Sequence, residues 1–560
     1  MSDQPKSQIS RIAQEYFSLL ARAFPVMCAS DEFHFLPRVQ EASQWFDQID
    51  QLSQDAIAAA VGAVRDLQTR LKKQSGEKDF EEEIDRQLLL HNMDGLLIEL
   101  AEIQSWRHNP LIYLKIACIG VDHALNKPAN DAKEGLGRTA ERLAGLKGLF
   151  AQADENLENI PGPYHRAGLA MAEDAREYLE EILRYADREG FRKQLGLPCR
   201  EAREALAVLT ERLRQIGPAS TETVKPVAVA ELVQRHFGCT RSLDEIYAIA
   251  QDEWQDSQTE MERLRQRINP KLEWQQLYES YQPGRGEELD LFQLYGAEIA
   301  SLRDLCRGLH LLDDHQDQEV TLTETPTYLR SVRSAASYST PLTTEPHEQA
   351  CFYITSTISP SNTQVDTLRR QRLHREYRFL SAHETYPGHH LLDSIRRHLD
   401  NPVRRQVESP LFYEGWAYYA ESILGESGHV RDSLELLVDC KRRLWRAARC
   451  LIDAGLALHR FTTEAAASLL VSVNFARDEA IAQVERFQLN PGYQLCYSLG
   501  KYEILNLRQR FKPKFGWQRF HRLLLEGGEI PFHLAAWRFE NLAEDARVGK
   551  ALQTSSEDQE

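Results

Sequence analysis

Three histidines, a glutamate and a backbone break fall within ten residues in Ser381-Ala382-His383-Glu384-Thr385-Tyr386-Pro387-Gly388-His389-His390. A second stretch, Phe412-Tyr413-Glu414-Gly415-Trp416-Ala417-Tyr418-Tyr419-Ala420-Glu421, carries two carboxylates two helical turns apart in an otherwise apolar, aromatic segment. Imidazole and carboxylate are ligands that zinc takes from proteins, and a glutamate beside a ligand histidine is placed to act as general base. Together the two stretches point to a zinc hydrolase.

The spacing is not the usual one. Zinc-peptidase helices carry two histidines four residues apart on one face, but four residues after His383 stands Pro387, which has no ligating atom. His390, seven residues on, returns to the same face, yet a regular helix would carry it about 10 Å along the axis, too far to share an ion. Proline lacks an amide hydrogen and its ring clashes with the carbonyl four residues back, here that of His383 itself. Gly388 then adds backbone freedom. The helix is therefore predicted to kink or end, letting the next histidines fold back. His389 is the preferred second ligand, with His390 as the alternate ligand or as a hydrogen-bond partner behind the ligands.

A catalytic zinc takes three protein ligands and keeps a fourth position for water. Glu414 is the expected third ligand, because an unpaired carboxylate in so apolar a segment is costly. Glu421, on the same face, is the alternative, and is read first as an acid behind the ligands or as a partner for a basic residue. Glu384 is then the general base on zinc-bound water. Tyr497 is the expected donor to the oxyanion, with Tyr493 and His459 as alternatives. Arg449 and Lys501 are candidates for a substrate carboxylate. The basic run Lys441-Arg442-Arg443, with Arg446 and Arg449, has a simpler reading as a solvated helix face paired with acids.

Apolar residues at helical spacing predict helices over 7–24, 51–77, 80–106, 111–126, 138–152 and from Pro163 to about 190. Leu197-Pro198 breaks the pattern before a helix at 201–215. The stretch from Gly217 to Pro226 is the expected boundary between an N-terminal helical lobe, 1–217, and a catalytic helical lobe, 227–552. Ser242 and Glu245 form a capping-box pattern opening a helix to about 268, and 290–311 follows. Val320–Thr325 alternates and is β-branched, and Phe352–Thr357 resembles a second strand, so a small β element is expected at about 320–360. Helices at 403–426, 431–460, 462–473, 475–488, 494–512, 517–526 and 534–548 complete a mainly α chain, with 554–560 expected to fray.

With 560 residues the chain can bury a large core, and acidic residues exceed basic ones by 17, which disfavours broad nucleic-acid or anionic-membrane binding. No apolar run approaches the ~20 residues of a membrane span, and the N-terminus lacks a secretory pattern. Nine cysteines without short paired spacings read as reduced thiols. A cytoplasmic protein follows as the expectation. No motif speaks to oligomeric state.

His383-Glu384-Thr385-Tyr386-Pro387-Gly388-His389-His390 resembles the His-Glu-x-x-Pro-Gly-His-His of the bacterial domain-of-unknown-function family 885, whose members are regarded as zinc metallopeptidases. Tyr413-Glu414-Gly415-Trp416-Ala417 supports the resemblance, with weaker matches at Trp106, Asn109-Pro110, Asp453, Glu485-Arg486, Pro491-Gly492, Tyr497 and Gly500. It implies a large helical zincin-like architecture with a small sheet beside the active-site helix and a deep cleft that admits peptides. One departure stands out: where the family tends to have histidine after Gly-Leu, this chain has Ala457, a change that would alter activity if that histidine touches substrate. The resulting expectation is a zinc-dependent hydrolase of short peptides. The alternatives are a zinc-dependent hydrolase of a non-peptide amide or ester, and a non-catalytic helical scaffold with a degenerate metal site.

Overall fold

A computed structural model describes residues 7–74, 79–219, 227–283, 290–345, 348–356 and 363–557. The chain is mainly helical, with one three-stranded sheet. Helices begin where the sequence offers caps. Ser7, Ser53 and Asn109 accept from the first-turn amides of Gln8–Ala23, Gln54–Lys72 and Pro110–Asn126, and Ser242 with Glu245 closes the predicted capping box of Leu243–Ile268.

Several helix ends shift by a few residues, the last helix, Phe532–Glu557, runs into the tail expected to fray, and two helix breaks differ from expectation. Pro198 does not break its segment: one helix runs Arg192–Ile216 with the proline inside it. The predicted helix at 403–426 is two, Pro402–Gln406 and Pro410–Glu426, because Pro410 supplies no amide to continue the first and suits the start of the second. Most of the expected lobe boundary, 220–226, lies outside the described residues. Buried side chains from Ile9 to Phe539 form one connected core. The two expected lobes also bond directly, through the Arg38 amide to the Gln406 carbonyl at 2.8 Å and Tyr164 Oη to the Leu489 carbonyl at 2.7 Å.

The strands are β1 (Val320–Glu324), β2 (Ala336–Ser339) and β3 (Ala350–Ile354), in the order β1-β3-β2, with β1 parallel and β2 antiparallel to β3. Edge strand β2 lies against the helix Thr363–Glu384, and the backbone amide of Tyr338 bonds the Glu384 carboxylate. The expected small sheet is therefore present, beside the helix that carries His383 and Glu384.

Neither of the two best-formed cavities among the described residues is a cleft at the candidate site. The larger of the two, about 520 Å³, is lined by Arg65, Gln68, Lys72, Asp94 and Arg235, and neither touches a candidate site residue. Those residues are packed under neighbouring side chains instead.

The helices Pro410–Glu426 and Leu495–Phe515 cross at Gly415 and Gly500. A Cβ on Gly500 would stand 2.3 Å from the Leu411 carbonyl oxygen and 2.5 Å from the Gly415 Cα. Two side-chain-free positions thus set the closeness of the pair. Gly500→Ala is expected to cost about 1–3 kcal/mol by overpacking. Gly425→Ala, on the exposed side of Pro410–Glu426 with open space around it, is expected to gain up to ~1 kcal/mol from helix propensity. Urea denaturation of both variants checks the opposite signs.

Candidate metal centre

The helix Thr363–Glu384 ends at Glu384, and a new helix, His389–Arg397, starts at His389, as Pro387 and Gly388 predict. The reversal is tight enough to need glycine: a Cβ on Gly388 would lie 2.0 Å from the His383 carbonyl oxygen. Trp416 Nε1 donates to the carbonyls of Pro387 (3.0 Å) and Gly388 (3.3 Å), fastening the turn to the Pro410–Glu426 helix.

The turn brings His389 back beside His383, their ring centres 4.7 Å apart. The Nε2 atoms of His383 and His389 both face Oε2 of Glu414, at 3.2 and 3.6 Å. Ligand atoms about 2.0–2.1 Å from a tetrahedral ion stand about 3.3–3.4 Å from one another, so these separations suit a zinc-sized ion. His383, His389 and Glu414 all have ligating atoms within 4.8 Å of each other, and all are buried.

The partners of the remaining atoms support that fit. Glu414 Oε1 is satisfied by the hydroxyls of Tyr497 (2.8 Å) and Tyr493, whereas Oε2 is buried without a hydrogen bond. His383 Nδ1 lies 3.0 Å from Glu421 Oε1; donating there, it leaves the Nε2 lone pair aimed at Glu414. His389 is held by Tyr413, whose ring stacks on it at 3.9 Å and whose hydroxyl bonds Asp393 at 3.2 Å. Three lone-pair atoms converging in a buried space need a cation, metal ion or proton, between them. The C-terminal end of Thr363–Glu384, with its partial negative charge, favours the same sign.

Burial raises the pKa of Glu384 to about 7, with the Glu414 charge adding to the rise and His389 opposing it. Burial alone would raise Glu414 too, but the adjacent His383 and His389 imidazoles outweigh it and hold its pKa well below the carboxylate range.

The sequence profile of the bacterial family of unknown function DUF885 matches residues 40–537. The chain belongs to this family. No functionally curated protein matches it in sequence. Two solved structures share its fold. One is described as "the putative lipoprotein" from Colwellia psychrerythraea, with a TM-score of 0.76 at 17% identity. The other is "a putative lipoprotein of unknown function" from Shewanella oneidensis, with a TM-score of 0.72 at 17% identity. In each case the match covers 95% of this chain and 99% of the other. The two stretches that carry the resemblance, Tyr413 to Trp416 and His383 to His389, meet in the turn and trio described above.

Other candidates stand elsewhere. His390 is not part of the trio: Nδ1 faces the Tyr338 hydroxyl at 3.0 Å, and Nε2 faces the Gln318 carbonyl at 3.0 Å and the Tyr386 hydroxyl at 3.1 Å. Both ring nitrogens are used, and burial pushes its pKa down to about 4. Tyr497 and Tyr493 spend their hydroxyls on Glu414. His459 is exposed at the end of the Ser433–Ala457 helix. Ala457 lies about three turns, roughly 16 Å, beyond Arg446 on that helix, away from the trio. Lys501 is taken up by Glu253 and the Tyr418 ring, each at 4.0 Å.

The reading of the basic run as a solvated face fails at Lys441, Arg442 and Arg446, which are buried. Lys441 and Arg442 pair with buried Glu376 at 2.8 and 2.7 Å, Arg442 also meets Glu421 at 3.2 Å, and Arg446 bonds Glu421 as well. Glu376 has no role in the sequence reading; its position about two turns before His383, amid basic residues, is its only signal. His34 was also missed, from a half in which no chemistry was expected; its ring lies 5.0 Å from that of Tyr493.

Burial would raise Glu376, but Lys441 and Arg442 hold its pKa well below the usual range. Its charge-dependent stabilisation is therefore complete above the ordinary glutamate pKa of about 4.3 and is lost as pH falls below it. Glu376→Gln, which leaves two buried cations short of a partner, is expected to cost about 3–5 kcal/mol at neutral pH. The gap from wild type should narrow as pH drops below about 4, read as urea midpoints across pH.

Proposed function

We propose that this protein is a zinc-dependent hydrolase that cleaves peptide bonds of short peptides, akin in architecture to the helical zincins. The observation that carries the reading is the convergence of His383 Nε2, His389 Nε2 and Glu414 Oε2 beside Glu384. Zinc held by these three side chains would polarise the scissile carbonyl and lower the pKa of a bound water.

The chain's own groups supply the rest. Glu384, fixed by the Tyr338 amide, takes the proton of the attacking water and returns it to the leaving amine. Glu414 Oε1 accepts from two tyrosines, so Tyr497 can turn to the developing oxyanion while Tyr493 keeps that oxygen satisfied. The outer edge of β2 faces Glu384 at Tyr338, where an extended peptide could add as a further strand. The trio and Glu384 are only 4–8% exposed, and half-buried His34, Tyr493, Arg449 and Arg486 stand nearby. Such narrow access suits short peptides over folded proteins. The nine cysteines are unpaired thiols, a state that a reducing cytoplasm maintains. No helix among the described residues is long and apolar enough to cross a membrane.

Elemental analysis of protein purified without a metal-binding tag should find about one zinc per chain. That zinc should be lost in His383→Ala, His389→Ala and Glu414→Ala and kept in His390→Gln. In a peptide-library assay Glu384→Gln should be inactive, and Tyr497→Phe should lower kcat by about 10²–10³-fold at unchanged zinc content. Folded protein that takes up no added zinc would put the scaffold reading first. Zinc with hydrolysis of simple esters or amides but no peptide would favour the non-peptide hydrolase.

A further inference from the structure

Two guanidiniums beside the candidate metal centre have no carboxylate partner among the described residues. Arg449, on the helix Ser433–Ala457, lies 3.9 Å above the ring of Tyr497 and also covers Trp445 and Phe487, at 5.0 and 5.6 Å. Its Nε donates to Gln494 Oε1 at 2.7 Å. Arg486, on the helix Arg477–Gln488, donates to the carbonyls of Val332 (2.7 Å) and Arg333 (3.3 Å). Both are half-buried.

The acids whose charge reaches this pair are engaged elsewhere. Asp453 accepts the amides of Gly492 (3.1 Å) and Gln494 (2.9 Å), and Glu32 is paired with Lys115 and Arg333, each at 2.7 Å. Burial, reinforced by the like charge of Arg449, lowers the pKa of Arg486. Two partly desolvated like charges are unfavourable unless an anion joins them, and a guanidinium presents a planar fork suited to carboxylate.

We propose that Arg449 and Arg486 form a subsite for a carboxylate of the peptide substrate, directing cleavage to bonds near a free C-terminus or an acidic side chain. Arg449 is separated from Glu414 by the Tyr497 side chain, whose hydroxyl is 2.8 Å from Glu414 Oε1. That reach matches roughly two residues of extended peptide, about 7 Å, so the carboxylate sits within a residue or two of the scissile bond. The inference rests on the peptidase reading for its substrate class, but its binding chemistry is separately measurable.

Isothermal titration calorimetry on Glu384→Gln protein, as purified, compares three probes: acetyl-trialanine as the free acid, the same peptide as its C-terminal amide, and acetyl-Ala-Glu-Ala amide. At least tenfold tighter binding of a carboxylate-bearing probe than of the neutral amide is expected, and which probe gains identifies the C-terminal or the side-chain source. The preference should fall towards one in Arg449→Met and in Arg486→Met, with unchanged melting temperature and zinc content. Acetate should compete with the preferred probe in protein that keeps both arginines, which tests the subsite even if a variant fails to fold. Equal binding of all three probes, or a preference surviving in both folded variants, overturns the proposal. Cleavage of acid and amide peptides alike by wild type would remove the subsite and leave the peptidase. Arginine-dependent binding of peptides that are never cleaved would keep the subsite and overturn the peptidase.

Discussion

A carboxylate is held in the protein interior with one oxygen satisfied and the other aimed at two imidazoles. Burying Glu414 in this way costs several kcal/mol unless charge and hydrogen bonds compensate. The surrounding structure meets each part of that demand. Tyr493 and Tyr497 satisfy Oε1, Glu421 directs His383 so that its other nitrogen faces Oε2, and Tyr413 clamps His389. Glu421 is in turn a buried anion, neutralised by Arg442 and Arg446, and Arg442 is shared with Glu376 and Lys441. Removing water from one carboxylate therefore draws in charges from three helices.

The stretch Tyr413 to Trp416 reads as four consecutive answers to that constraint. Tyr413 orients one imidazole, Glu414 faces both, and Gly415 permits the contact with Gly500 that brings the helix of Tyr497 onto Glu414. Trp416 holds the carbonyls of the Pro387-Gly388 turn, which places His389. The two sequence motifs are parts of one packed unit. A change at Gly500, far along the chain from His383, acts on the same geometry.

Much of this was legible because it is encoded locally. Caps and apolar periodicity place helix starts such as those at Ser7 and Ser242, and Pro387-Gly388 ends the helix of His383. The family resemblance and the mainly helical fold with its small sheet were also readable from residues alone. What depended on long-range partners was not. Lys441 and Arg442 look like surface charges until Glu376, 65 residues earlier, is seen beneath them. His34 lies near Tyr493 only through folding of the N-terminal stretch against the C-terminal half. Pro198 misled because packing of Arg192–Ile216, which buries Leu195, Cys199 and Ala202, outweighs the loss of one backbone hydrogen bond.

The choice between His389 and His390 shows where local reasoning ends. Successive residues on a helix project about 100° apart, so once the chain reverses at Gly388 only one of the two can face His383. The other is committed to Tyr338 and Gln318. Since the Gln318 carbonyl only accepts, Nε2 of His390 donates to it and Nδ1 accepts from the Tyr338 hydroxyl, leaving no lone pair for a metal ion. Tyr338 is also the residue whose backbone amide bonds Glu384. His390 thus fixes the strand beside the proposed base, while His389 faces the Glu414 carboxylate. Adjacent histidines thus flank the proposed centre from opposite sides, one packed against Glu414 and the other against the sheet edge.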